Sequence, residues 1–139
     1  MNTPIKVEEL RIGNIVRSSE GWLAVIESIS SKKFSEDNET EQFFFSCKES
    51  GDNFRTDSKV YPDKLTYDML NRLKFKNIQD NWWLFNPGNL NIYIMEHEGI
   101  FVYKVACDKS VLNGVGIRYT HELQNLMFSV FKINLNIKL

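Results

Sequence analysis

The stretch RYTHELQNLMFSVFKINLNIKL, residues 118–139, decides the fold class. At about 100° per residue along a helix, Leu123, Leu126, Met127 and Val130 share one face, with Phe131 at its edge. His121, Glu122, Asn125 and Ser129 share the other. The pattern predicts a helix over about 120–131. Beyond it, Ile133, Leu135, Ile137 and Leu139 alternate with Asn134, Asn136 and Lys138, the period of a half-buried strand. Phe128 falls beside Gln124, outside the apolar stripe, and is expected at the rim of the core. A one-faced helix followed by a one-faced strand is a packing signal, and it implies an α+β protein.

Working back from this stretch, residues 82–85, 90–96 and 100–107 read as three strands of a meander. They are separated by turns at Asn86-Pro87-Gly88-Asn89 and Glu98-Gly99. Residues 108–116 hold Gly114 and Gly116 and read as a loop. A helix is expected over about 66–75. Thr66 can cap it, Asp68 suits the positive end of its dipole, and Leu65 can staple to Leu70. Met69, Leu70 and Leu73 supply its buried face, and Arg72, Lys74 and Lys76 suit its C-terminal end.

The N-terminal part reads as short strands. A helical turn over 7–10 leads to a tight turn at Gly13-Asn14 that releases a strand from Ile15. Ser18-Ser19-Glu20-Gly21 turns the chain into a partner strand from Trp22 to Ile29, whose nearly continuous apolar run suggests burial on both faces or a strong bend. Residues 30–41 are polar and acidic and read as a long excursion. Residues 42–47 form a third strand, 48–57 are polar again, and Lys59, Val60 and Tyr61 are strand-like. These features fit a small SH3-like β-barrel over 1–60, followed over 61–139 by an antiparallel sheet with two helices. The boundary is expected within 57–64, and the two parts could equally form one continuous unit.

Composition narrows the function classes. The formal net charge is −1, so global charge favours neither nucleic acid nor an anionic membrane. Residues 1–52 carry ten acidic against six basic side chains, which leaves a weakly basic second part. No basic segment followed by an apolar run suggests a signal peptide, and no apolar stretch is long enough to span a membrane. The expected compartment is the cytoplasm. Cys47 and Cys107 each sit in a strand-like run and are expected as free buried thiols, with a disulfide between them as the alternative.

Candidates for chemistry are few. No His or Cys pair has metal-ligand spacing, and in Glu96-His97-Glu98 alternate side chains of a strand point apart, so no metal site is expected. Neither cysteine lies beside a segment that would lower its pKa, and His121 and Glu122 diverge by about 100° on a helix, so no catalytic residue and no cofactor are expected. Nucleic-acid binding is the alternative partner class. Phe43, Phe44, Phe45, Trp82 and Trp83 could stack on bases, and Arg55, Lys59, Lys64, Arg72, Lys74 and Lys76 cluster in sequence, but Asp57, Asp63 and Asp68 interrupt them. Protein–protein association is the leading class, with homo-oligomerisation open. The candidate binding residues are His121, Gln124, Asn125 and Phe128.

Three stretches carry a resemblance: LRIGNIV at 10–16, LTYDMLNRLKF at 65–75 and YTHELQNLMF at 119–128. Together they resemble a set of proteins from Bacteroidetes genomes and their prophage-like elements. Relatives there tend to carry P-L-T-E-E-x-L-x-x-x-G-F in the second block and Y-x-H-E/Q-L-Q-N-L-Y-F in the third. This chain departs from the second phrase with Tyr67-Asp68 at the acidic pair and Lys74 at the usual glycine. Those changes bear on how the helix ends more than on any chemistry. The resemblance implies a phage-associated origin and the order of the elements, and it implies no activity. The expectation is a non-enzymatic prophage or mobile-element accessory protein that binds another protein.

Overall fold

The computed structural model describes residues 3–33, 41–50, 53–88, 90–107, 110–137 and 139. Among them the chain is mixed α+β, with two antiparallel five-stranded sheets and two helices. A 3-10 turn at Val7–Glu9 leads to strands β1 (Ile15–Arg17), β2 (Leu23–Lys33), β3 (Glu41–Lys48), β4 (Phe54–Asp57) and β5 (Tyr61–Pro62). Helix α1 (Tyr67–Arg72) follows. Then come β6 (Lys76–Gln79), β7 (Trp82–Phe85), β8 (Asn91–His97), β9 (Ile100–Cys107) and β10 (Ser110–Ile117), and helix α2 (Thr120–Phe131).

The first sheet has the order β4-β3-β2-β1-β5, and the second is a plain meander from β6 to β10. In the first, Gly13 adopts φ +94°, which only glycine reaches cheaply, and the turn is closed by Gly13 N–H to the Ile26 carbonyl at 2.7 Å. β5 returns to pair with β1, setting Pro62 opposite Val16 on an edge, where its missing N–H costs nothing.

The nearly continuous apolar run of β1 and β2 is explained by two cores. Ile15 belongs to a large cluster with Leu65, Leu70, Phe75, Ile94 and Leu123, and Leu23 and Val25 pack against it. Val16, Ala24 and Ile26 point the other way, into a smaller cluster with Leu10, Phe45, Cys47 and Val60. β1 and β2 are therefore buried on both faces, and the large core joins the two parts of the chain.

Several expectations change. Residues 110–117 form β10 rather than part of a loop, because they lie in register against β9, with an irregularity between Asn113 and Gly116. Gly116 fits there because a Cβ at that position would come within 2.6 Å of Ile100 Cγ2. The alternating tail is no strand over 132–137. Leu135 is buried and Ile133 and Ile137 pack on the large core, so the alternation reports one-sided burial of an extended segment with no ladder partner. Residues 30–33 continue β2, paired with β3, while 34–40 lie outside the described residues. β4 occupies a segment that read as polar, and β6 begins at Lys76, which was expected to suit the end of the first helix.

Helix α1 has the expected cap, Thr66 Oγ1 accepting from Met69 N–H at 3.1 Å. It ends early, at Arg72. Lys74 takes a left-handed φ of +75°, and Phe75 N–H bonds to the Leu70 carbonyl at 3.0 Å, turning the Phe75 ring into the core.

Candidate functional site

Helix α2 carries the candidate residues, and its ends are fixed locally. Glu122 Oε1 accepts from the N–H groups of Tyr119 and Arg118 at 3.0 and 3.1 Å, satisfying donors the first turn would leave free. At the other end Lys132 turns left-handed, and Ile133 N–H bonds to the Met127 carbonyl at 3.2 Å. A set of hydrogen bonds then locks the helix to the loop before β1.

Gln124 is only 3% exposed. Its Oε1 accepts from Ile15 N–H at 2.7 Å, and its Nε2 donates to the carbonyls of Gly13 at 3.0 Å and Leu135 at 2.9 Å. One amide thus serves three backbone groups from two distant segments. Asn125 Nδ2 donates to the Glu9 carbonyl at 2.7 Å, and Asn125 Oδ1 accepts from Asn14 Nδ2 at 2.9 Å. Asn14 Oδ1 in turn accepts from Arg11 N–H at 2.7 Å. The Arg11 guanidinium lies 3.8 Å from the centroid of the Phe128 ring, so Phe128 is a rim residue covered by a cation. The stretches 10–16 and 119–128 are therefore two sides of one latch.

His121 is separate from it. It is 4% exposed and stacks on Tyr119 with centroids 6.1 Å apart. Its Nδ1 is buried without a hydrogen-bond partner. Burial pushes its pKa below the ordinary imidazole value, against the pull of Glu122 and Glu9. It lines a cleft of about 420 Å³ with Ile5, Lys6, Glu9 and Pro62. Of the four candidates, Gln124, Asn125 and Phe128 meet the loop before β1, whereas His121 faces the N-terminal segment.

Asp63 ties the parts together at the boundary. It pairs with Arg17 at 2.9 Å and accepts from Thr120 Oγ1 at 2.8 Å, while its carbonyl accepts from Thr120 N–H. At the far side of the first sheet, Arg55 bonds Glu20 at 2.8 Å and Asp57 at 3.2 Å, with Glu49 at 3.9 Å. Arg55 holds the Glu20 carboxyl below its usual range.

Between these two ion-pair groups lies a cleft of about 500 Å³, lined by Arg17, Trp22, Leu23, Glu49, Asn53 and Arg72. Through Arg17 it adjoins a trough of about 320 Å³ at Ser18, Gly21, Tyr61 and Pro62. Trp22 is 62% exposed, with its backbone fixed by Ser18: Trp22 N–H donates to Ser18 Oγ at 3.1 Å. The sequence reading assigned Trp22 to a strand and missed its exposure. The available signal was Gly21 directly before it, whose φ of +89° turns the chain just ahead of the strand.

The Cys47 thiol is fully buried, and burial, with Asp57 and Glu49 nearby, pushes it up to about 11. Phe45 and Trp83, two of the aromatics offered for base stacking, are core residues. Glu96 accepts from Tyr67 Oη at 2.5 Å and Gly99 N–H at 3.0 Å, while His97 is exposed. Among the described residues, no three His, Cys, Asp or Glu side chains could hold a metal ion together. Nor is any described helix long and apolar enough to cross a membrane. The Cys107 side chain lies outside the described residues.

No protein-family model matches the chain, and no curated protein or solved structure does.

Proposed function

We propose that this chain is a non-catalytic accessory protein of a prophage or mobile element, acting in the cytoplasm by binding another protein. The observation that carries the reading is Trp22, a large aromatic ring 62% exposed on the wall of a cleft of about 500 Å³. An exposed tryptophan with a fixed backbone, beside arginine and carboxylate side chains, is the composition of a protein-binding hot spot. The first sheet is read as an SH3-like barrel, supported by the return of β5 to β1. Its partner is read as an extended segment that sets an apolar side chain against Trp22 and a carboxylate toward the exposed side of Arg17. The nucleic-acid alternative is weaker, because Arg17 and Arg55 already face carboxylates.

The test is affinity capture from the native host with wild-type protein and Trp22→Ala as paired baits. A protein retained by wild type and lost with Trp22→Ala supports the reading. Identical recoveries from the two baits overturn it.

A further inference from the structure

His121 takes no part in the latch, yet it is 4% exposed and lines the cleft of about 420 Å³. Its Nδ1 is buried with no hydrogen-bond partner, and Nε2 makes no hydrogen bond among the described residues either. Buried polar atoms without partners are few in native proteins, and each calls for an explanation. A half-turn of the ring about its Cβ–Cγ bond breaks no hydrogen bond and keeps the plane that stacks on Tyr119, so either nitrogen can face the cleft.

Both walls of the cleft are fixed by backbone contacts. Residues 4–9 are held by Ile5 N–H on the Val60 carbonyl at 2.9 Å and by Asn125 Nδ2 on the Glu9 carbonyl at 2.7 Å. The start of α2 is held by Thr120 N–H on the Asp63 carbonyl at 2.8 Å. Pro4, Ile5, Pro62 and Tyr119 give the cleft an apolar lining, and Lys6, Glu9 and Glu122 give it charge. A cleft of this volume, apolar with a few convergent polar groups, has the make-up of a small-molecule site.

The charges select the ligand. Glu122 Oε1 already accepts from the Arg118 and Tyr119 N–H groups, so the first turn of α2 is not left open to an anion. The second Glu122 oxygen and the Glu9 carboxylate have no hydrogen bond or ion pair among the described residues. Both carboxylates act on the His121 ring, while burial keeps that ring neutral and able to accept a hydrogen bond. Lys6, the one cation on the wall, is exposed. A metal ion is not the occupant that this donor set suits, since no three described His, Cys, Asp or Glu side chains converge.

We propose that this cleft binds a small organic ammonium ion. Its N–H groups donate to the His121 ring and to the carboxylates of Glu9 and Glu122, and its apolar body lies against Ile5, Pro62 and Tyr119. A primary ammonium brings three donors and no acceptor, which matches a neutral imidazole beside two carboxylates. The site shares no lining residue with the Trp22 cleft, so the two proposals stand or fall separately.

Titration of the full chain with phenethylammonium chloride at neutral pH, followed through the imidazole NMR signals, tests it. The His121 signals are expected to shift and saturate with a dissociation constant of about 1 mM or tighter. Those of His97, exposed at the end of β8, are expected to stay in place. The uncharged 2-phenylethanol should bind at least about tenfold more weakly, and phenylacetate should shift neither histidine. In calorimetry, His121→Phe should weaken phenethylammonium binding at least about tenfold, and Glu9→Gln about three- to tenfold. Should His121→Phe fail to fold, Glu9→Gln, at an exposed residue, carries the mutational test. No His121 shift at about 20 mM amine overturns the proposal. Equal binding of the alcohol, or an affinity unchanged by Glu9→Gln, overturns it as well.

Discussion

Replacing Gln124 with Met keeps the length and nearly the volume of the side chain while removing its three hydrogen bonds to the backbone. The Ile15 N–H and the Gly13 and Leu135 carbonyls then lose the partner that Gln124 provides. A buried polar group left unpaired costs about 1–3 kcal/mol. With partial relaxation at the more accessible Gly13 carbonyl, the expected total is about 3–5 kcal/mol. That is a large share of the roughly 5–15 kcal/mol that stabilises a domain. In urea, at a slope of about 2 kcal/mol per M, the unfolding midpoint should fall by about 1.5–2.5 M. Ser129→Ala, on the exposed side of α2, should change stability by less than about 0.5 kcal/mol. If Gln124→Met costs less than about 1 kcal/mol, the latch is not what holds α2 to β1, and the structural assignment of this side chain is refuted.

Three further outcomes follow from individual residues. His121 is held below its ordinary value of about 6.5 by burial, so the unfolded chain binds the proton more readily. Stability should therefore drop as pH falls from about 6.5 through the depressed folded value. His121→Phe should flatten that drop in thermal melts at pH 8 and pH 5.5. In a Cys107→Ser background, Cys47, pushed up to about 11, should resist a thiol reagent at pH 8 until denaturant is added; labelling of the native protein would contradict its burial. Lys74→Gly, at a φ of +75°, should stabilise the protein by about 0.5–1 kcal/mol in chemical denaturation, because glycine removes the left-handed strain.

Which parts of the molecule were legible in the sequence follows from what each signal measures. The bounds of α2 came from a sustained helical period, and the turn at Gly13 from a residue type that the backbone there requires. β4 was hidden because Arg55 and Asp57 make it look like a loop, whereas those charges serve the ion pairs with Glu20 and each other. β10 was hidden by its glycines, of which Gly116 admits a close neighbour, Ile100 Cγ2. The alternating tail misled in the opposite direction, since alternation reports which side is buried and is silent on ladder pairing.

The candidate residues were legible as a group but not in their role. Hydrophobic periodicity puts Gln124 and Asn125 outside the apolar stripe, yet an amide can be buried when backbone groups meet its donors and acceptor. Those groups come from residues 9–15 and 135, more than ten positions away along the chain, so no local pattern could reveal them. Trp22 posed the converse problem. A tryptophan opening an apolar run reads as core, and only the turn geometry at Gly21 sets it on the cleft wall.

The central claim, that the helix over 120–131 and the loop before β1 are one interlocked structural unit, is tested most directly by native-state hydrogen exchange of the Ile15 amide. Its proton is donated to the Gln124 side chain and lies on a fully buried residue. The expected result is exchange only through global unfolding, with a protection free energy equal to that from denaturant melts and the same denaturant dependence. Exchange of the Ile15 amide by a local, denaturant-independent opening, while the large-core amides of Ile92 and Ile94 stay protected, would contradict it.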